Sequence, residues 1–161
     1  MNQLFIGVDP GQSGSICLLS PDSKEIVQFL DINMHPPVLL GILNGLKDEY
    51  LLSPVMLEKV QNIRGTASAA NFKFGFNYGN ISGIIKCSNI GLDQVAPKVW
   101  QKMLQVPAKL EKTARKKFIG QQCMALYPSA ELHGPRGGLL DGRSDALGIA
   151  HYSRIKYGNK V

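Results

Sequence analysis

Residues 3–9 (QLFIGVD) form a short apolar run closed by Pro10 and Gly11, the pattern of a buried strand ending in a turn. Residues 13–20 (SGSICLLS) repeat it, Pro21, Asp22 and Ser23 supply another turn, and residues 25–31 (EIVQFLD) make a third strand. Three strands joined by tight turns predict an antiparallel meander. From Pro37 to Tyr50 the period changes, with Val38, Leu39, Ile42, Leu43 and Leu46 at helical spacing. Residues 54–58 (PVMLE) return to a short buried strand. Beyond them the pattern predicts a long helix over 67–88, a strand over 90–96, and a short helix over 97–104 with Pro97 in its first turn. A basic amphipathic helix over 111–126, a loop rich in Pro and Gly over 127–138, and a last helix over 141–157 complete the chain. A meander followed by helix–strand alternation is a mixed α/β sheet flanked by helices. No repeat or low-complexity tract interrupts it, so 1–161 reads as one domain. Gly75, Gly79 and Gly83 recur every four residues in the long helix. Each costs about 1 kcal/mol against Ala, so this smooth face is expected to pack closely on the sheet or on another helix.

Composition narrows the class. An apolar content of 44% suffices for a core and excludes a disordered chain. No apolar run approaches the ~20 residues of a membrane span. The opening MNQLFIGV has neither the basic start nor the long apolar stretch of a secretory leader. Cys17, Cys87 and Cys123 are widely spaced and form no CxxC or Cys/His cluster, which argues against a zinc site and a disulfide framework. Cys17 and Cys123 lie among apolar neighbours and are expected in the core. A reducing, intracellular compartment follows: cytoplasm or nucleoid, with an organelle matrix or a phage-infected cell as variants. The net charge of +6 is uneven. Residues 1–96 carry 6 basic and 8 acidic side chains, while residues 97–161 carry 12 and 4. A basic C-terminal portion favours a polyanionic partner over solubility alone.

Four carboxylates stand out against that background. Asp9 ends the first strand and is followed by small, polar residues (GQSGS) that let a phosphate approach the backbone. Glu58 ends an apolar strand, at the edge where α/β sheets place functional groups. Asp141 and Asp145 are four apart on one helix and share a face. Each has an ordinary explanation: Asp9 as the cap of a turn, Glu58 as an exposed strand end, Asp141 as a helix N-cap. Asp145 is the hardest to explain so, because an apolar stretch (ALGIA) follows it and a carboxylate entering a buried helix wants a partner. Convergent carboxylates hold hard divalent cations.

Taken in order, IGVDPGQSGS, LEKV and DGRSDALGIAHY resemble the RuvC-type Holliday junction resolvases of the RNase H-like superfamily, closest to their phage and organellar branch. The resemblance runs from Met1 to about Tyr157. It implies a five-stranded mixed sheet flanked by helices, a homodimer, and an endonuclease that nicks symmetry-related strands of a four-way DNA junction in recombination or repair. It implies two Mg²⁺ ions per site, with Mn²⁺ as substitute, and no organic cofactor. Asp9 matches the first-strand acid, Glu58 the fourth-strand acid and Asp145 the Asp of the C-terminal helix. Asp141 completes the set at a spacing of four, where bacterial RuvC has three. His133 is the alternative fourth ligand. Two-metal hydrolysis would use Asp9 as the bridge, Glu58 at one ion, and Asp141 and Asp145 at the other.

DNA contacts are expected from two regions. Phe72, Lys73, Phe74 and Phe76 interleave aromatic and polar residues after the Glu58 strand. Phe72 and Phe76, at i and i+4, read as core by periodicity, while the resemblance implies an aromatic that stacks on an unpaired base. Arg64, in the polar segment 62–68, is a phosphate contact. Lys112, Arg115 and Lys116, with Lys109 and Lys117 nearby, form a charge run expected to meet phosphate, with Arg115 and Lys116 on the side opposite Phe118, Cys123 and Leu126. Arg143, between the two aspartates, balances their charge or contacts phosphate. Three competing readings are an RNA-processing nuclease of the YqgF type, a branched-DNA-binding module without catalysis, and a sugar-kinase-like phosphate loop. The last needs two lobes, for which 161 residues are too few.

Overall fold

The computed structural model describes residues 1–20, 26–59 and 68–158. Strands β1 (Asn2–Asp9), β2 (Ser15–Ser20) and β3 (Ile26–Asp31) form the antiparallel meander. Helix α1 (Pro36–Glu49), strands β4 (Tyr50–Leu52) and β5 (Val55–Glu58), helix α2 (Ser68–Cys87) and strand β6 (Leu92–Val95) follow. Helices α3 (Pro97–Met103), α4 (Lys112–Leu126) and α5 (Asp141–Tyr157) end the chain. The sheet order is β3-β2-β1-β5-β6, with β5 parallel to both of its neighbours.

The sheet has six strands where five were expected, because one lane is divided. β4 and β5 both run parallel to β1, along the edge that β2 leaves free. Ser53 still donates its N–H to the Leu4 carbonyl. Pro54 has no N–H to give, and Val55 turns its own to Gly91 on the β6 side.

Alternation along the strands builds two cores. Leu4, Ile6 and Val8, with Ile16, Leu18, Val55 and Leu57, face Leu39 and Leu43 of α1 and Ile81 and Ile85 of α2. Phe5, Cys17, Leu19, Met56 and Val95 face Trp100 of α3, Ile119 and Cys123 of α4, and Ala146, Leu147, Ile149 and Ala150 of α5. Cys17 and Cys123 are buried as expected. The result is a three-layer α/β/α arrangement.

The glycine face of α2 does not pack as expected. Among the described residues, a Cβ built on Gly75, Gly79 or Gly83 would meet nothing within 4 Å. The helix is seated by Ile81 and Ile85, each two residues and therefore about 200° round from Gly79 and Gly83. Glycine spacing records that a face is smooth, not that anything lies on it.

Candidate active site

The sheet brings Asp9 and Glu58 together through register. β1 pairs with β5 so that Val8 lies opposite Leu57, which sets the two acids side by side at adjacent strand ends. Both belong to the alternation series of Phe5 and Met56, so both belong to the face covered by α5.

Helix α5 reaches that face by the closest approach the backbone allows. A Cβ on Gly7 would fall 2.3 Å from the Ala146 carbonyl oxygen and 2.3 Å from the Ala150 nitrogen. A Cβ on Gly142 would fall 1.9 Å from the Ser13 carbonyl oxygen. Glycine is required at both positions because strand and helix, and turn and helix, touch main chain to main chain. The first turns of α5, with Asp141 and Asp145, are thereby pressed onto the β1–β2 turn that begins at Asp9.

Each acid has a different local anchor. The Gly11 N–H donates to Asp9 Oδ1 at 2.9 Å. Trp100 Nε1 donates to Glu58 Oε1 at 2.9 Å. Lys116 Nζ forms an ion pair with Asp141 Oδ2. Asp145 Oδ1 is fully buried and finds no hydrogen-bond partner among the described residues.

The electrostatics follow from this crowding. Burial raises Asp9 to about 6, against the pull of the Gly11 hydrogen bond, and Asp141 adds to the rise. Burial and then the Asp9 charge raise Glu58 to about 7, and the Trp100 hydrogen bond opposes them. Asp145 is pushed well above the usual carboxylate range by burial first, then by Asp9, Glu58 and Asp141. The hydrogen bond to Asp141 raises Lys116, and the charges of Asp145 and Asp9 act in the same direction. Asp9, Glu58 and Asp141 thus each act on Asp145, and the four carboxylates share one field.

Their side chains are not drawn into a cage. Among the described residues, no three His, Cys, Asp or Glu groups stand close enough to hold an ion. Like charges disperse in such a cluster, and three of the four acids are held by a donor or a cation. The donor set still fits a hard divalent cation: it is all carboxylate oxygen, and one buried oxygen lacks a hydrogen-bond partner among the described residues.

Other residues singled out from the sequence fall in varied places. Arg64 lies outside the described residues. Phe72 and Phe76 are not core: they are 74% and 58% exposed, with their rings stacked on each other at 6.4 Å. Their periodicity is helical, but the face they share is the one α2 turns outward. Lys73 lines a cleft with them, and Phe74 is half-buried. The cations of the basic helix differ in their settings. Lys112 is exposed, Arg115 donates to its own chain at the Leu110 carbonyl (2.7 Å), and Lys116 turns to Asp141. Arg143 donates to the Glu131 carbonyl at 2.8 Å and lies over the Phe29 ring at 5.2 Å. His133 is exposed and lines a pocket of about 560 Å³ with Lys116, Lys117 and Asp141.

Sequence reasoning passed over Trp100 and the two contact glycines. Gly7, inside an apolar strand, was a usable signal, because a strand glycine often marks close backbone approach. Trp100 carried none, since its partner Glu58 lies on another element.

No protein-family profile matches the chain, and no curated protein sequence matches it. Solved structures do. The fold is that of the RNase H-like α/β class, a mixed sheet between helices. Within that class it is the fold of RuvC. Thermus thermophilus RuvC in complex with a Holliday junction substrate superposes with a TM-score of 0.59 at 14% identity, covering 98% of this chain and 97% of that one. A second Thermus thermophilus RuvC structure gives 0.57 at 15% identity with the same coverage.

Proposed function

We propose that the chain is a Holliday junction resolvase: a metal-dependent endonuclease that cuts symmetry-related strands of a four-way DNA junction. The observation that supports this reading is that Asp9 and Glu58 end adjacent strands and, with Asp141, all act on the buried Asp145, whose Oδ1 finds no hydrogen-bond partner among the described residues. The fold shared with a RuvC bound to a junction supports the choice of DNA substrate.

Asp9, Glu58, Asp141 and Asp145 would hold two Mg²⁺ or Mn²⁺ ions, which supply an activated water and a stabilised leaving oxygen when bound. The chain's own contribution is placement. Trp100 fixes the Glu58 carboxylate, and the Gly11 N–H fixes Asp9. Lys116 neutralises part of the cluster from α4. Lys112 and Lys117 are exposed on the same helix, and either would be free to meet a phosphate of the substrate. The exposed rings of Phe72 and Phe76 stack on unpaired bases near the branch point. A two-fold junction needs two equivalent cuts, which a C2 homodimer supplies.

The test is cleavage of a labelled mobile four-way junction in Mg²⁺, Mn²⁺ or EDTA, beside linear duplex and structured RNA. Strong preference for the junction, abolished by EDTA, is expected. Preference for structured RNA would transfer the site to an RNA-processing nuclease. Tight junction binding without cleavage under any divalent metal would leave only a binding module.

A further inference from the structure

We propose that the cleft between the β1–β2 turn, the exit of β3 and the first turns of α2 reads one unpaired nucleobase, and that Gln12, Asn33 and Asn77 set the sequence preference of cleavage. This rests on the reading of the chain as a nuclease for branched DNA.

The cleft holds about 350 Å³ and is lined by Gln12, Asn33, Phe72, Lys73, Phe76 and Asn77. Its composition is unlike that of a surface for duplex backbone, which calls for several Lys and Arg. It offers two aromatic rings, three carboxamides and one ammonium. Aromatic rings stack on any base, because every base has a π face. Carboxamides discriminate, because each presents a donor beside an acceptor and so matches the paired groups on a base edge.

The amides are available for that role. Among the described residues no hydrogen bond holds the side chain of Gln12 or Asn77. Asn33 is oriented: its backbone N–H donates to Asp31 Oδ1 at 2.8 Å, and its side-chain Nδ2 donates to the same oxygen at 3.2 Å. This leaves the Asn33 side-chain oxygen to accept from a base amino group. Lys73 adds a charge for a phosphate or for the acceptor edge of guanine.

Position links the cleft to the cut. Asp9 pairs with Ser15, and Ser15 pairs with Asp31, so the three lie in one row across the sheet. Gln12 lies in the turn leaving Asp9, and Asn33 lies two residues past Asp31. The cleft therefore opens at the same end of the sheet as Asp9.

The experiment uses four-way junctions that differ only in the bases within three nucleotides of the branch point. Cleavage rates in Mg²⁺ are compared for the wild type, Gln12→Ala, Asn33→Ala, Asn77→Ala and Asn77→Asp. In parallel, 2-aminopurine at the same positions reports base capture in Ca²⁺. The wild type is expected to favour one base at one position by about 5- to 150-fold, the range of a good two-point base contact. The alanine variants flatten that ratio. Asn77→Asp, which loses the donor and keeps the shape, moves the preference to another base, an outcome misfolding cannot produce. 2-Aminopurine fluorescence changes at the preferred position in the wild type and less in Phe72→Ala. A wild type that cuts junctions without base preference, or variants that all keep the wild-type ratio, overturn the pocket and leave the nuclease reading intact. Should the wild type cut no junction, the nuclease reading fails, and an unchanged 2-aminopurine signal then overturns the pocket as well.

Discussion

Glu58→Gln separates a carboxylate placed for charge chemistry from one placed for structure. Glu58 titrates at about 7 against an ordinary 4.5, chiefly because it is buried and next because Asp9 repels it. A raised carboxylate favours the folded state at low pH, where it is protonated. That advantage is complete below about 4.5 and is lost as pH rises through about 7. At pH 8 Glu58 is ionised in both states. The gap then costs the metal-free fold about 3 kcal/mol, at ~1.4 kcal/mol per tenfold. Gln keeps the oxygen that accepts from Trp100 Nε1 and removes the charge, although its own burial takes back part of the gain. The expected result in EDTA at pH 8 is a variant more stable than wild type by about 1–3 kcal/mol, or about 3–10 °C in Tm for a chain of this size. At pH 4.5 the gain shrinks towards zero. Mg²⁺ reverses the order, since a cation bound only to the folded state stabilises the wild type and has lost a ligand in the variant. Differential scanning fluorimetry at two pH values, with EDTA or Mg²⁺, reads all of this. A variant that melts at or below the wild type in EDTA at pH 8 would refute the reasoning and make Glu58 a structural hydrogen-bond acceptor.

Asp145→Asn should likewise raise the metal-free Tm, while junction cleavage falls by orders of magnitude and junction binding in Ca²⁺ stays within a few-fold; retained cleavage would remove Asp145 from the site. Lys116→Met should lower stability in EDTA by less than about 1 kcal/mol, because its pair with Asp141 is partly exposed, and Mg²⁺ should restore the difference, as melting curves will show. Gly142→Ala should unseat α5, since the new Cβ would lie 1.9 Å from the Ser13 carbonyl oxygen, with a loss of about 1–3 kcal/mol or more by denaturant titration. Gly79→Ala, on the open face of α2, should instead stabilise the isolated chain by up to about 1 kcal/mol; a loss in a dimeric sample would place that face in a subunit contact.

The elements were legible because their signals are local. Strand ends at Asp9 and Glu58 follow from apolar runs meeting turns, and the helix over 141–157 was read with its observed bounds. What covers each face was not legible, because that depends on residues far away in sequence. Phe72 and Phe76 have core spacing but stand exposed with their rings stacked on each other, and among the described residues nothing lies against the α2 glycines. The divided β4–β5 lane escaped notice because Tyr50–Leu52 is too short to show a period. Lys116 illustrates the same limit within the site. Its place in a basic run suggested solvent and phosphate, and only the packing of α4 beside α5 turns it to Asp141.

The contact between β1 and α5 has a consequence for how such a chain can vary. A spacing set by bare main chain against main chain does not depend on the volume of any core side chain. Leucines can become isoleucines and aromatic residues can move across the core, yet Gly7 holds the acid-bearing strand, and Gly142 the turn after it, at one separation from the helix. The two glycines act as a gauge block, and the rest of the interior is free to be rewritten around it.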